Sequence, residues 1–284
     1  MVTQAKALKR AIKNKGKAVR VAFLRSRYAF SQQDLFNGLR RVGVRVGDSI
    51  LVHSSLDQFI AFKGQATDIN STLLRAVGES GHILMPTLPF SGTAVEYASR
   101  GCVFDVKRTP SRMGLLTELF RRSAGVLRSV HPTHSVAVSG ARAEHFIAQH
   151  YLAATPCGRG TPYSRLFDES GKILFMGTDI GVMTFYHFIE EEIQPQLPFS
   201  PFTENVYTLR SQDSYGNEVI TRTRLFNPTY SAKRNLDKLA FHLKERGSWN
   251  ECRVGNVPLI LLETAAVMSM CLELAKKGIY CYDL

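Results

Sequence analysis

Residues 171–192 read GKILFMGTDIGVMTFYHFIEEE, and this stretch decides the predicted fold. Its first part, residues 173–176, is an uninterrupted apolar run with a glycine close to each end, which is typical of a short buried strand. Its second part, residues 182–192, spaces apolar side chains as on one side of a helix. The stretch therefore predicts a strand followed by a helix, the unit from which layered α/β domains are built.

The same alternation extends toward both ends of the chain. Short apolar runs predict strands, and segments with helical spacing lie between them. The predicted strands cover residues 50–52, 82–87, 134–140 and 259–262, and the predicted helices begin at Ser31, Ala66, Ser111 and Ser231, with one more after the last strand. Residues 203–226 predict two antiparallel strands with a turn at 215–217. We expect an α/β layered domain with a central mixed sheet flanked by helices, plus a small antiparallel β excursion near 203–226.

The composition is that of a globular protein. Of 284 residues, 44% are hydrophobic and 21% are charged, which excludes a chain that is disordered throughout. No run approaches the roughly 20 apolar residues of a membrane-spanning helix, and no secretory signal is apparent at the N-terminus. The five cysteines form no CxxC pair, which favours free thiols in a reducing compartment. We therefore expect a cytoplasmic protein.

Positive charge is concentrated in the first 27 residues. The chain has 36 basic and 24 acidic residues, a formal net charge of +12. Residues 1–27 hold nine of the basic residues and no acidic one, which leaves 27 basic and 24 acidic residues, a net charge of +3, for the remainder. We therefore divide the chain into a basic helical leader, residues 1–30, and a single domain, residues 31–284.

The leader has the spacing of a helix with one thin apolar side. Leu8 and Ile12 are four residues apart, as are Val19 and Phe23, with basic residues between them. Docking of this side on the chain's own domain is the favoured interpretation. Contact with the inner face of a membrane through residues 1–27 is the alternative. Nucleic-acid binding is not expected, because the positive charge is its only support and no nucleic-acid-binding motif accompanies it.

The pattern with the clearest chemistry is Thr184-x-x-His187-x-x-Glu190. Positions three apart share one side of a helix, so these three side chains can form a row. A carboxylate beside an imidazole fixes the tautomer of the ring and leaves its second nitrogen as a general base. A helix surface with an incidental His–Glu pair is the alternative interpretation.

Two other clusters carry chemistry with weaker support. His131 and His134, together with His187 and Glu190, offer donors for a zinc ion, but no HExxH or cysteine-rich spacing accompanies them. A zinc-dependent hydrolase is therefore a distant alternative. Cys157 lies in a glycine- and proline-rich loop without the turn that presents a nucleophile, so a small buried thiol is the favoured interpretation.

Six segments occur in an order that resembles one known family. They are VHSSL (52–56), LMPT (84–87), FDVKRTPSRMGLLTELFRR (104–122), RSVHPTHSVAVSG (128–140), GRGTPYSRL (158–166) and KILFMGTDIGVMTFYHFIEE (172–191). Together they resemble the aminoglycoside 3-N-acetyltransferases, which are distinct from the GNAT acetyltransferases. The resemblance covers roughly residues 31–284 and leaves the leader outside it.

The resemblance implies transfer of an acetyl or other acyl group from acyl-CoA to an amine of a sugar-like substrate, without a metal. The family's histidine and glutamate positions correspond to His187 and Glu190, which makes His187 the general base and Glu190 the residue that orients it. Thr184 corresponds to a hydroxyl position that bonds the thioester carbonyl. The cofactor-binding residues that the resemblance implies are Ser54, Ser55, Arg128, Ser129 and His131.

The acceptor implied by the resemblance is an amino sugar. Here Met183 stands where the family often has asparagine, and residues 152–155 lack the acidic residue often found there. Carboxylates select a polycationic aminoglycoside, and these segments are poor in acid. We therefore expect an amino sugar of lower positive charge, with a sugar nucleotide of polysaccharide or O-antigen biosynthesis as one candidate. The alternative is an aminoglycoside 3-N-acetyltransferase that confers antibiotic resistance, and a homo-oligomeric state stays open.

Overall fold

The computed structural model describes residue 19 and residues 21–284. Ten strands in this part of the chain form a seven-stranded sheet and a three-stranded sheet. The strands are β1 (Ser49–Ser54), β2 (His82–Pro86), β3 (Phe104–Asp105), β4 (Leu127–Arg128), β5 (Val136–Ser139), β6 (Lys172–Met176), β7 (Phe202–Gln212), β8 (Glu218–Phe226), β9 (Asn250–Val254) and β10 (Val257–Glu263). The α-helices are α1 (Gln32–Val42), α2 (Ala66–Val77), α3 (Ala94–Ser99), α4 (Leu115–Arg121), α5 (Ala143–Ile147), α6 (Pro162–Asp168), α7 (Tyr186–Glu192), α8 (Pro228–Ser231), α9 (Asp237–Glu245) and α10 (Thr264–Lys276). Short 3₁₀ segments cover Leu56–Ala61, His150–Leu152, Ile180–Val182 and Gln194–Gln196.

The larger sheet is mixed, which confirms the predicted fold class. Its strand order is β4-β5-β2-β1-β6-β10-β9, in which β1 pairs parallel with β2 and with β6. β5 pairs antiparallel with β2, and β10 pairs antiparallel with β6. The three parallel strands therefore lie in the centre, with antiparallel strands on both sides. Because parallel strands end at the same edge of a sheet, the carboxyl ends of β1, β2 and β6 meet there.

Side chains of the central strands alternate between two apolar cores, one on each face of the sheet. On β6, Ile173 and Phe175 belong to one core, whereas Leu174 and Met176 belong to the other, and all four are fully buried. Helices α6, α7, α9 and α10 cover the first core, and α1, α2 and α4 cover the second. The unbroken apolar run of β6 follows from this arrangement, since both faces of the strand are covered.

Helix α1 begins where the sequence predicts. The Ser31 hydroxyl accepts the backbone N–H of Asp34 at 3.2 Å, and the Asp34 carboxylate accepts the N–H of Ser31 at 2.8 Å. This reciprocal pair satisfies two N–H groups that the helix itself cannot satisfy. At the other end, Gly43 has a φ of 116°, a left-handed conformation that glycine adopts readily, and the helix stops there.

Helix α4 begins later than predicted. The Ser111 hydroxyl accepts the N–H of Met113 at 3.2 Å, which forms a turn and not a helix cap. The helix starts at Leu115, directly after Gly114, whose φ of 109° is incompatible with a helix. The predicted start at Ser111 is therefore wrong, and Arg112 and Met113 lie in a loop.

The helix that carries His187 is also shorter than predicted. Met183 has an extended backbone conformation, with a ψ of 99°, and α7 begins only at Tyr186. The predicted row on one helix therefore holds for His187 and Glu190. Thr184 lies in the turn that precedes α7.

The smaller sheet contains the predicted hairpin. β7 and β8 pair antiparallel, and β3 pairs with β7 in parallel. The Asp213 carboxylate accepts the N–H groups of Tyr215 and Asn217 at 2.8 and 2.9 Å, which fixes the turn between the two strands. β8 ends at Phe226, whose side chain is buried in the first core. The hairpin is thus anchored at its base to the larger sheet.

The leader is only partly within the described residues. Residues 21–27 are helical, and Arg25 Nε donates to the Ile60 carbonyl at 3.2 Å, so this part contacts the domain. Residues 1–18 and 20 lie outside the described part, and the division of the chain at residue 30 stays a prediction. Among the described residues, no helix has the length and apolar character needed to cross a membrane.

Leu174→Ala is expected to lower the free energy of unfolding by about 2–5 kcal/mol, because the Leu174 side chain is fully buried in the second core and its removal leaves a cavity. Urea unfolding followed by circular dichroism measures the change. Leu152→Ala is the matched control, since Leu152 is 62% exposed, and we expect a change below about 0.5 kcal/mol. Equal destabilisation by the two substitutions would contradict the described core.

Candidate active site

A cleft of about 560 Å³ opens at the carboxyl ends of the central parallel strands. Ser54 and Ser55 line it at the end of β1, Thr178 lines it after β6, and Thr184 lines it from the turn before α7. Open α/β sheets bind their ligands at this edge. We call this space the strand-end cleft.

A second cavity, of about 310 Å³, lies beside the strand-end cleft. It is lined by His187 of α7, by Phe226 at the end of β8, by Arg234, and by residues 90–94 before and at the start of α3. We call it the histidine cavity. Arg112 and Met113 line both spaces, so the two share a wall.

The two spaces approach each other at one turn of the chain. Thr184 lines the strand-end cleft, and His187 lines the histidine cavity. The His187 N–H donates to the Thr184 carbonyl at 3.1 Å, so the two residues occupy the same turn. A molecule in each space would therefore bring its reactive group to this point. Such an arrangement suits two substrates that react directly with each other.

The His187 imidazole is held by a buried carboxylate. Its Nδ1 lies 2.9 Å from Glu190 Oε2, and Glu190 is fully buried. An ionised carboxylate only accepts hydrogen bonds, so Nδ1 carries the proton and Nε2 of the neutral ring is an acceptor. Glu190 Oε1 accepts further hydrogen bonds from Arg234 Nε, at 2.7 Å, and from the Tyr282 hydroxyl. Both carboxylate oxygens are therefore occupied, which offsets the cost of burying the charge.

Burial and neighbouring charges set the protonation states of this pair. Burial lowers the pKa of His187, and the charge of Arg234 lowers it further, although Glu190 opposes the shift. Burial alone would raise the pKa of Glu190, but the charge of Arg234 and the hydrogen bonds from His187 and Arg234 hold that pKa below its usual range. At neutral pH the pair is a neutral imidazole beside an ionised carboxylate. A neutral imidazole is able to accept a proton.

Aromatic contacts fix the plane of the His187 ring. Phe226 stacks on it with ring centres 4.3 Å apart, and His134 meets it edge-on at 5.6 Å. His134 Nδ1 is in turn 2.9 Å from the hydroxyl of Thr133. Burial lowers the pKa of His134 well below its ordinary value, so this ring adds no positive charge beside His187. Two uncharged rings thus pack against the imidazole of His187.

Thr184 offers a hydroxyl that has no protein partner. Its Oγ1 is buried and makes no hydrogen bond with any described residue. The hydroxyl of Tyr163 lies close enough to Thr184 to interact with it, but neither oxygen makes a hydrogen bond of good geometry with any described residue. Buried polar atoms are nearly always satisfied in folded proteins, because an unsatisfied one costs free energy. The oxygen of Thr184 is therefore a candidate contact for a ligand in the strand-end cleft.

The predicted cofactor positions Ser54 and Ser55 do lie in the strand-end cleft. The Ser55 N–H donates to the Met176 carbonyl at 3.0 Å, which fixes the end of β1 against the end of β6. His53, which precedes them, stacks on Phe175 with ring centres 5.3 Å apart. Burial lowers the pKa of His53 to about 3, so its ring is neutral, and its buried Nε2 makes no hydrogen bond with any described residue.

The other predicted cofactor positions, Arg128, Ser129 and His131, lie in the interior. All three are at most 6% exposed, and they line neither of the two spaces. The Arg128 guanidinium donates to the carbonyls of Thr87 and Thr109 at 2.6 Å each, and burial lowers its pKa to about 9. The geometry gives these residues structural contacts, and their role in cofactor binding stays a prediction.

The geometry does not favour the zinc alternative. Among residues 19 and 21–284, no group of three or more His, Cys, Asp or Glu side chains is placed to hold a metal ion. His131 Nδ1 accepts the N–H of His134 at 3.1 Å, and both oxygens of Glu190 already have donors. Cys157 is fully buried, and burial raises its pKa well above the ordinary value, so it is a neutral thiol.

Solved structures of aminoglycoside acetyltransferases share this fold. AAC-IIIb, in a binary structure with CoASH, matches with a TM-score of 0.75 at 21% identity, over 90% of this chain and 99% of that one. AAC-VIa bound to sisomicin matches with a TM-score of 0.73 at 24% identity, over 88% and 99% of the two chains. These likenesses confirm the fold class.

Comparison of sequences identifies the family. The family model described as aminoglycoside 3-N-acetyltransferase matches residues 51–275, and the chain belongs to this family. Aminoglycoside N(3)-acetyltransferase III of Acinetobacter baumannii is 27% identical over 173 residues, which are 56% of this chain and 60% of that protein. The match therefore spans about three fifths of the length of this curated relative.

Sequence reasoning misses three residues that complete the site, namely Phe226, Arg234 and Tyr282. Arg234 and Tyr282 are 44 and 92 residues away from Glu190 along the chain, and no motif marks them. Arg112 lies inside a segment that carries the family resemblance, but its pattern gives no sign that it lines two spaces. Tertiary placement alone brings these residues together.

The free energy of unfolding is expected to fall as the pH drops below about 6.5. Burial lowers the pKa of His53 to about 3 and of His150 to about 4, whereas the same rings in the unfolded chain bind protons near pH 6.5. The contribution of these two neutral rings to the free energy of unfolding is therefore complete above that pH. It is lost as the pH falls, by up to about 1.4 kcal/mol per pH unit for each ring. Urea unfolding at several pH values between neutral and acidic measures the slope. A free energy that stays constant over this range would contradict the buried neutral rings.

Proposed function

We propose that this chain is an acyl-CoA-dependent N-acyltransferase that acylates an amine of an amino sugar, with residues 31–284 as its catalytic domain. The observation that carries this proposal is the approach of two cavities at Thr184 and His187. Acyl-CoA occupies the strand-end cleft, and the amine occupies the histidine cavity. Membership of the aminoglycoside 3-N-acetyltransferase family supports the assignment, as does the likeness in fold to a structure with CoASH.

His187 is the general base of the proposed reaction. When the amine nitrogen attacks the acyl carbon, a C–N bond forms, the C–S bond breaks, and the nitrogen must lose a proton. His187 lines the amine's cavity, and its Nε2 is the free acceptor of the ring, because Nδ1 donates to Glu190. Its lowered pKa keeps it unprotonated at neutral pH. A positioned imidazole contributes about 10²–10⁴-fold to such a step.

Glu190 is a positioning residue in this proposal. It fixes the tautomer and the plane of His187 through the bond of 2.9 Å to Nδ1. Its negative charge also stabilises the imidazolium that forms when the proton arrives. Arg234 and the Tyr282 hydroxyl hold the carboxylate in place from the other side, so Glu190 does not turn away from the ring.

The strand-end cleft provides the contacts that an acyl-CoA needs at its reactive end. When bound, acetyl-CoA or another acyl-CoA supplies the acyl group as a thioester. The unpartnered Thr184 hydroxyl donates to the acyl carbonyl oxygen, on which negative charge develops. Ser54 and Ser55 supply further hydroxyl groups along the cleft. Transfer is direct in this scheme, since the buried neutral Cys157 offers no accessible nucleophile.

In this proposal, the contribution to the site is structural for Arg128, Ser129 and His131. Arg128 ties Thr87, which follows β2, to the loop at Thr109 through its guanidinium. The Ser129 hydroxyl accepts the N–H of Val136 at 2.9 Å and so holds the start of β5. These contacts keep the strand ends in register and leave direct contact with the cofactor to be tested.

The relatives bear on the identity of the acceptor. The curated relative is named an aminoglycoside N(3)-acetyltransferase, and AAC-VIa binds sisomicin, which favours an aminoglycoside over a sugar nucleotide as the amine. Either acceptor would use the same base and the same thioester. We also propose a cytoplasmic location, because the reaction consumes acyl-CoA. Membrane contact through residues 1–27 and a homo-oligomeric state stay predictions.

His187→Ala is expected to lower kcat by about 10²–10⁴-fold, because the general base is lost. Thiol release from acetyl-CoA in the presence of an amino sugar that the unsubstituted protein acylates measures the rate, and calorimetry with CoA checks that the strand-end cleft still binds. His145→Ala is the matched control, since the His145 side chain is 48% exposed and lines neither space. Undiminished turnover of the His187 variant would show that the assigned base is wrong.

Glu190→Gln is expected to lower kcat/KM and to move its acid limb to lower pH. The carboxylate raises the pKa of His187 against burial and Arg234, so its removal lets the ring stay unprotonated at still lower pH. The rate falls, by up to about 10⁴-fold, because an amide no longer fixes the tautomer. The pH profile of kcat/KM measures both effects. An acid limb displaced to higher pH would contradict the pairing of Glu190 with His187.

A further inference from the structure

The histidine cavity carries positive charge where an amine is to bind. Fourteen residues line it, among them Arg112 and Arg234, and none of these described residues is aspartate or glutamate. His134 and His187 line it too, but burial lowers the pKa of both rings, so they are neutral at neutral pH. The charged side chains of the lining are therefore both cationic.

Arg112 presents a guanidinium that no other side chain neutralises. Its backbone N–H donates to the Leu88 carbonyl at 2.8 Å, which fixes the loop before α4. Its side chain is exposed and forms neither a hydrogen bond nor an ion pair with any residue in the described part of the chain. The Glu96 carboxylate on the rim, next to Gly92, instead accepts the N–H of Thr93 at 3.2 Å and caps α3.

Arg234 has N–H donors that no described residue uses. Its Nε donates to Glu190, whose carboxylate is also shared with His187 and Tyr282. The two terminal nitrogens of Arg234 make no hydrogen bond with any described residue, and its side chain is 18% exposed. A guanidinium carries five N–H donors in a planar fork, so most of them remain available to a ligand.

These charges oppose a polycationic acceptor and favour an anionic one. Several ammonium groups would meet the guanidinium of Arg112, which has no ion pair with any described residue. No lining carboxylate offsets it, because Glu190, which is paired with Arg234, is fully buried and does not line the cavity. A phosphate or carboxylate would instead form short charge-assisted hydrogen bonds with the free fork of each arginine. The volume of about 310 Å³ is at the small end of ligand cavities, which suits one sugar ring better than several.

We propose, on the basis of the function proposed above, that the acceptor is an amino sugar that carries an acidic group, a phosphate or a carboxylate, beside the amine to be acylated. Arg112 and Arg234 bind that acidic group and so direct the amine toward His187. The two arginines are the residues that determine acceptor specificity. The acyl donor and the general base are those already described.

Four acceptors test the proposal at equal concentration with acetyl-CoA. They are glucosamine, glucosamine 1-phosphate, muramic acid and sisomicin. They provide an amino sugar without an acidic group, one with a phosphate beside the amine, one with a carboxylate beside the amine, and a polycation. We expect at least one acidic amino sugar to bind about tenfold tighter than glucosamine by calorimetry, and to exceed both glucosamine and sisomicin in kcat/KM for thiol release. The affinities of the phosphate and carboxylate sugars show which acidic group the cavity prefers.

Arg112→Gln provides the second arm of the test. We expect it to reduce the ratio of affinities for the acidic amino sugar and glucosamine by about tenfold, because half of the anion-binding charge is removed. Arg112→Lys should retain part of that ratio. Arg246→Gln is the matched control, since Arg246 pairs with Glu273 away from both spaces and should leave the ratio unchanged.

The outcomes separate this proposal from the proposed function. Thiol release that is as fast with sisomicin or glucosamine as with the acidic sugars overturns the acidic acceptor and leaves the acyltransferase standing. Tight, Arg112-dependent binding of an acidic sugar without thiol release supports the anion site and counts against the transfer reaction. An Arg112 variant that weakens CoA binding but keeps the affinity ratio assigns Arg112 to the cofactor side and overturns the proposal.

Discussion

The negative charge of Glu190 is buried completely, and the site depends on the way this charge is satisfied. Water does not reach the carboxylate, so protein donors must replace it. They come from three parts of the chain: His187 on α7, Arg234 after α8 and Tyr282 after α10. Because a buried carboxylate with a missing donor would be costly, these segments are constrained to meet at one point. The imidazole gains a single orientation from this constraint.

The larger sheet supplies the second condition for the site. Three parallel strands end at one edge, and their ends leave a cleft that antiparallel neighbours would not provide. The turns that follow β1 and β6 bring backbone and hydroxyl groups to this edge, and α7 starts close by. The parallel pairing of these strands thus places the strand-end cleft next to the helix that carries His187.

Local patterns explain which features the sequence predicts. The buried strand β6 and the cap at Ser31 depend on neighbouring residues, and His187 and Glu190 are one helical turn apart, so all of these are visible in the sequence. The start of α4 is not, because the backbone conformation of Gly114 overrides the serine before it. Arg234 is also not predictable, since its role depends on tertiary packing. The burial of Arg128 shows that a family motif does not tell which of its residues face solvent.

The wall that Phe226 contributes has a consequence for how such proteins diverge. The larger sheet builds much of the strand-end cleft, the proposed donor side, whereas Phe226 of the smaller sheet and Arg234 of the segment after it line the histidine cavity, the proposed acceptor side. Substitutions in that segment would therefore change the lining of the histidine cavity and leave the strand-end cleft as it is.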